Sequence, residues 1–383
     1  MVRSHPLGWL LALAGLCSPA AWADVQVGVT LSLTGPAASL GIPARQAVDM
    51  LPREVGGEAI RYTVLDDASD PAFSVRNFRR LADEQQVDVV LGSSSTPATL
   101  PLAAVAAEKG VPLLSLAASA KIVQPMDATR RWVFKVIQNE ALMMQATLAR
   151  MQRDGVRTLA FVGFGDAYGE AWLGELRAQL PPAGIRLVAE ERYAKTDASV
   201  VAQALKVMAA KPDAVFIAAS GTPGALPQKT LAERGFRGKV YQTYGIANRD
   251  FLRVAGKDAE GAIFAVGPVL VAGQLAGANP VRPVAADFVQ RYEAVHGKQS
   301  VSVFAANVWD AGIVLRQALG KALATARPGS PAFRAALRDA LETTRDVVTT
   351  QGVCTMSATD HSGYDRRAVA MVQIQGGDWK IVD

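Results

Sequence analysis

The sequence predicts an α/β protein built from two doubly wound, Rossmann-like lobes. Three observations predict it. Strand-length apolar runs alternate with helix-period segments, which calls for mainly parallel sheets covered on both faces. The same alternation then restarts further along the chain. The chain has 383 residues, half of them apolar, enough for one large or two medium domains with packed cores.

The elements follow in order. "DVQVGVTLSL" is a strand ending near Thr34-Gly35-Pro36, and "LGIPARQAVDMLPREV" its helix. "IRYTVLDDAS" is the next strand. The helix "DPAFSVRNFRRLADEQ" has Asp70 as cap and Pro71 at its first position. "VDVVLG" is a strand, "TPATLPLAAVAAEKG" one helix with a glycine stop, and "VPLLSLAA" a strand again. The second unit runs "RTLAFVGF", "GDAYGEAWLGELRAQLPPAG", "IRLVAEERY", "DASVVAQALKVMAAKP", "DAVFIAAS", "TPGALPQKTLAERGF", "KVYQTYG". Residues from about 266 to 345 have mostly helical spacing. The tail "RRAVAMVQIQGGDWKIVD" reads as a hairpin turning at Gly376-Gly377. Ligands of such sheets bind at the carboxyl ends of the strands, so two facing units would share a cleft across a hinge.

Residues 1–23 read as a cleavable leader. Arg3 is followed by the apolar stretch Leu7–Leu16, too short to span a bilayer, and Ala21-Trp22-Ala23 is an A-x-A site. The mature chain then starts at Asp24, outside the cytoplasm. Leu16 before Cys17 departs from the small residue a lipidation site wants. Losing Arg3 lowers the formal charge from +5 to +4. Cys354 is left without an internal partner. No basic run exceeds two residues, which argues against a nucleic-acid partner. No later apolar stretch is long enough for membrane insertion of the mature chain.

The stretch "LGSSSTPA" (Leu91–Ala98) puts Ser93, Ser94, Ser95 and Thr96 at a strand end. A serine nucleophile needs a base and usually a G-x-S-x-G elbow, and neither is present. His296 sits before Gly297 at a helix end and His361 in the polar loop "TDHSGYD". No phosphate-loop, metal or cofactor spacing occurs, so no enzyme is expected. Thr96 before Pro97 is instead a helix start, whose exposed N–H groups and neighbouring hydroxyls suit an anion. Ser115 and Ser119, after the next strand, are placed to add to it.

With "SLTGPAASLG" (Ser32–Gly41), "GVPLLSLAAS" (Gly110–Ser119), "GFGDAYGEAW" (Gly163–Trp172), "AGKDAEG" (Ala255–Gly261) and "DHSGYDRRA" (Asp360–Ala368), this stretch makes six motifs in order. Together they resemble the periplasmic leucine/isoleucine/valine-binding family, the type I solute receptors of ATP-driven uptake (ABC) systems. The resemblance covers the whole mature chain. It implies two lobes joined by a three-segment hinge, 24–139 plus 266–345 and 140–265 plus 346–383. It also implies a periplasmic monomer that needs no cofactor and delivers a small carboxylate to inner-membrane permease subunits.

Carried over residue by residue, the resemblance gives a carboxylate clamp of Thr96, with Ser94 and Ser95 beside it, the backbone of Ala117, and Ser119. Tyr168 is the aromatic lid, and Leu40 packs on the ligand body. Two departures stand out. Tyr244 occupies the place of the acid that pairs with an amino-acid ligand's ammonium, and a buried ammonium without a counter-charge is costly. Ser220 and Gly221 stand where amino-acid binders carry bulky tyrosines. The wording "QTYGIANRDF" is similar to family members that take up aromatic carboxylates. The expectation is thus a carboxylate without an α-amine, with Asp166 serving an amine as the rival. A branched-chain amino-acid receptor and an exported ligand sensor remain the alternative functions.

Overall fold

A computed structural model describes residues 24–382; the expected leader, Cys17 included, lies outside the described residues. In the first lobe, strands β1 (Val25–Leu31), β2 (Glu54–Val55), β3 (Glu58–Asp66), β4 (Val89–Gly92), β5 (Leu113–Ser115) and β6 (Val133–Lys135) form one sheet. Its order is β2-β3-β1-β4-β5-β6, parallel from β3 to β6. Helices α1 (Ala38–Asp49), α2 (Pro71–Asp83), α3 (Thr96–Thr99) and α4 (Leu102–Lys109) connect these strands. Helices α2 and α4 cover one face through Phe78, Leu81, Leu102 and Val105, packed on Val90 and Leu113.

The second lobe holds α5 (Glu140–Arg153), β7 (Thr158–Phe164), α6 (Ala167–Ala183), β8 (Arg186–Tyr193), α7 (Val201–Ala209) and β9 (Ala214–Ala218). It continues through α8 (Ala225–Glu233), β10 (Lys239–Gln242), α9 (Arg249–Ala255) and β11 (Ile263–Val266). The chain then runs through α10 (Val281–His296), α11 (Val303–Leu323), α12 (Pro331–Glu342) and the short pair β12 (Val347–Val348) and β13 (Val353–Cys354). It ends in the hairpin β14 (Ala370–Gln375) and β15 (Asp378–Ile381), turning at Gly376-Gly377, both with positive φ. This hairpin pairs antiparallel with β11, giving the order β15-β14-β11-β10-β9-β7-β8.

The two sheets share a topology. Each reads second-first-third-fourth-fifth, with the order reversing at β1 in one lobe and at β7 in the other. Strand order reversal opens a crevice at the carboxyl edge, and both crevices face the same cleft. The chain crosses three times between lobes, and the crossings meet at Gln138. Its Nε2 donates to the carbonyls of Gln351 (3.3 Å) and Ala368 (3.0 Å). A Cβ at Gly267 would fall 2.9 Å from that Nε2, so the middle crossing is held tight against the other two.

Three expectations change. The single helix after β4 is interrupted at Leu100-Pro101 into α3 and α4: the backbone there keeps helical angles, but proline has no N–H to donate, so the helical hydrogen-bond ladder breaks at that point. Residues 346–363, expected with the second lobe, lie on the edge of the first sheet, where Lys135 N donates to His361 O (2.9 Å) and Ser362 Oγ to Ile137 O (3.1 Å). His361, read as part of a polar loop, is fully buried, stacked on Phe134 at 4.1 Å with Nδ1 2.8 Å from Val133 O. Among the described residues no helix is long and apolar enough to cross a membrane.

Candidate functional site

Between the lobes lies a small, partly open cavity. Loops at the carboxyl ends of β4, β5, β7, β8, β9 and β10 reach it, as the topology requires. Its first-lobe wall is Leu40 at the start of α1, Ser94, Ser95 and Thr96 after β4, and Ala117 after β5. Tyr168, Lys195, Ser220 and Tyr244 face them from the second lobe. Phe304 and Asn307 of α11 close one end.

The four hydroxyls after β4, Ser93 to Thr96, divide their work. Ser93 turns inward and donates to Asp67, a fully buried carboxylate that also takes the Ser32 hydroxyl at 2.8 Å. Burial raises the pKa of Asp67 against those hydrogen bonds. Ser94 Oγ accepts from the Ser32 amide (3.1 Å), which leaves its proton available. Ser95, not Thr96, is the residue before the helical turn, and its side chain makes no capping bond. Thr96 is 1 % exposed and its Oγ1 has no hydrogen-bond partner. A buried hydroxyl left unpaired costs about 1–3 kcal/mol, so an acceptor in the cavity would relieve it. Because α3 is one turn long, the hydroxyls rather than a helix dipole dominate this wall.

Eight of the ten sequence-predicted residues line the cavity: Leu40, Ser94, Ser95, Thr96, Ala117, Tyr168, Ser220 and Tyr244. Two do not. Ser119 is fully buried at the start of a short 3₁₀ turn, where it accepts from Lys121 N (3.3 Å) and lies against Glu140. Gly221, at φ +63°, sits where the second lobe presses on α1: a Cβ there would collide with Ser39 Oγ and fall 2.7 Å from Leu40 Cδ1. The backbone donor expected at Ala117 is already used, since its amide bonds Ser115 Oγ at 3.1 Å.

The second-lobe wall is aromatic and hydrogen-bonded to itself. Tyr168 Oη donates to Thr243 Oγ1 (2.8 Å) and Tyr244 Oη to Gln138 O in the hinge (3.0 Å). Burial raises the pKa of both phenols, so both stay neutral. Asp166 is committed elsewhere. One oxygen caps α6 by accepting from Tyr168 N (2.9 Å) and Gly169 N (3.2 Å), and the other pairs with Lys195 at 2.7 Å. Glu140, whose carboxyl burial pushes up in pKa, accepts from Ala120 N (2.8 Å) behind the wall and does not line the cavity.

Lys195 and Asn307 are cavity residues that sequence reasoning missed. Lys195 stands in an ordinary-looking polar turn after β8, and Asn307 in the apolar run of α11. No spacing signal marks either. Asn307 Oδ1 accepts from Gln351 Nε2, which ties the cavity end to the hinge.

Comparison with known proteins agrees with this geometry. A family model described as periplasmic binding protein matches residues 24–378. The chain belongs to the periplasmic binding protein family. This periplasmic binding protein is 24% identical over 352 residues to Leu/Ile/Val-binding protein homolog 3 of Brucella melitensis, covering 89% of each chain. It is similar to the solved structure of an extracellular ligand-binding receptor from Rhodopseudomonas palustris HaA2, with 43% identity and a TM-score of 0.91 over 94% of this chain and 100% of that one. A leucine-binding protein from Thermotoga maritima, 20% identical, shares the fold with a TM-score of 0.82 over 94% of this chain and 98% of that one.

Proposed function

We propose that the protein is the periplasmic receptor of an ATP-driven uptake system, and that its ligand is a small organic acid without an α-amine, such as an aromatic carboxylate. The observation that carries this is the charge make-up of the cavity. Among the described residues no carboxylate lines it, while the first-lobe wall offers the unpartnered Thr96 hydroxyl beside Ser94 and Ser95. A carboxylate gains donors there. An ammonium would be buried without a counter-charge, at a cost of several kcal/mol. Tyr244 holds the expected place of the acid and gives its proton to the hinge. Asp166 is occupied by its cap and by Lys195.

Binding works by closure rather than chemistry. Thr222 N of the second lobe donates to Ser39 Oγ of the first (3.2 Å), so the lobes already touch around the cavity. A ligand that contacts both walls stabilises the closed arrangement by its difference in affinity for the two states. Closure then presents both lobes together to the membrane permease.

The rival is a branched-chain amino acid, favoured by the Leu/Ile/Val names of relatives near 24% identity. A thermal-shift screen separates the two, because a ligand that binds only the native state raises the melting temperature. The expected result is a shift with benzoates, cinnamates or short aliphatic acids and none with leucine, isoleucine or valine. The reverse pattern would refute the acid reading.

A further inference from the structure

Lys195 is the one charged side chain among the described residues that line the cavity, and it comes from the lobe opposite the hydroxyl wall. Its ammonium is 2.7 Å from Asp166 and 5.0 Å from the centre of the Phe164 ring. Its side chain is 19% exposed, so water does not freely satisfy it. An ammonium has three donors, and Asp166 takes one. Ser220 lines the same cavity from the same lobe.

We infer that Lys195 selects the ligand: the acid carries a second, neutral oxygen (a hydroxyl or carbonyl) remote from its carboxylate, and Lys195 donates to that oxygen. This rests on the acid reading above. The carboxylate goes to Ser94, Ser95 and Thr96 on the first lobe, and the second oxygen reaches the second lobe. The charge state of the pair decides between a neutral and an anionic second group. Asp166 already balances the positive charge of Lys195, so a second carboxylate would enter with no net counter-charge and bear the desolvation cost of a buried ion. A neutral oxygen needs only the donor, and a hydrogen bond to a charged group is worth more than one between neutral groups. The same oxygen also gives the two lobes a shared ligand, which couples specificity to closure.

The test uses the full mature protein and calorimetric affinities for benzoate, the three hydroxybenzoates, terephthalate, and cinnamate with 4-hydroxycinnamate. The wild type is expected to bind at least one hydroxylated acid roughly tenfold more tightly than its parent, and terephthalate more weakly than that acid. In Lys195→Met, made together with Asp166→Asn so that the helix cap is kept and no unpaired carboxylate is left beside the cavity, the hydroxylated-over-parent preference collapses towards unity, and the ligand-free melting temperature checks the fold. Lys195→Arg restores part of the preference. Equal affinities for hydroxylated and parent acids in the wild type would overturn the role of Lys195 and leave the acid reading standing. So would a preference that survives in Lys195→Met with Asp166→Asn. Tighter binding of terephthalate would overturn the neutral second group. Binding of leucine with no binding of any acid would overturn both readings together.

Discussion

The two lobes have one topology and opposite chemistry at the same edge. In each, the first helix abuts the end of the first strand so closely that only glycine fits. A Cβ at Gly41 would collide with the Ser32 carbonyl, and one at Gly169 with the Phe164 carbonyl. The difference lies in how the polar groups nearby are used. In the second lobe, Asp166 caps α6 and pairs with Lys195, and both cavity tyrosines bond within the protein. In the first lobe, Ser95 makes no capping bond and Thr96 Oγ1 has no partner. Under the proposed function, hydrogen-bonding capacity left unused in a buried wall is what would separate an anion site from a structural turn on the same fold.

The sharpest way to break that contrast is Thr96→Val, which keeps the shape and removes the donor. Hydrogen bonds to charged groups are worth about 1.5–3 kcal/mol, so affinity for an acid should fall by roughly 10- to 150-fold. The ligand-free melting temperature should hold or rise, since an unpaired buried hydroxyl is lost. A drop in ligand-free stability would mean that Thr96 already has a structural partner.

The claimed equivalence of the lobes can be tested with Gly41→Ala and Gly169→Ala. Glycine to alanine inside a helix ordinarily stabilises by up to about 1 kcal/mol. Here the methyl meets a backbone oxygen, so each change should instead destabilise by about 1–3 kcal/mol, read by denaturant unfolding. A stabilised variant in either lobe would end the equivalence there.

Gly221→Ala probes closure rather than either wall. Its methyl would press on Ser39 and Leu40 of the other lobe, and φ +63° adds strain of about 1 kcal/mol. Affinity should fall by about tenfold, and small-angle scattering should show less compaction on ligand addition. Full compaction at unchanged affinity would place that contact outside the closing motion.

Much of this was legible because buried parallel strands read as uninterrupted apolar runs, as in "VDVVLG" and "DAVFIAAS". The position of Thr96 was legible for the same reason: it follows a strand end at the switch point. The partners of the neighbouring groups were not. Ser115 takes the Ala117 amide and Ser119 turns to Lys121, and both are local geometries that many loops of the same composition would not adopt. Lys195 was hidden because a polar turn after β8 looks solvated, whereas its side chain folds back onto Asp166 and the Phe164 ring. His361 was hidden likewise: the polar "TDHSGYD" gives no hint that its loop folds onto β6 and stacks the ring on Phe134.

The smallest expected effect separates the position of Tyr244 from its hydroxyl. Tyr244→Phe keeps the ring against Trp172, at 5.7 Å between centroids, and removes the donation to Gln138 O. That bond joins the second-lobe wall to the hinge, and a neutral hydrogen bond contributes about 0.5–1.5 kcal/mol. Affinity for the acid should fall only about two- to tenfold, because the phenol holds the closed arrangement and bears no charge opposite the ligand. Tyr244→Glu puts an acid back where an amine-binding receptor would carry one. If the acid reading is right, it should abolish acid binding, because the buried carboxylate would face the ligand's own. Should Tyr244→Phe cost as much as Thr96→Val, the ligand contacts the phenol directly, and the second wall is as polar in function as the first.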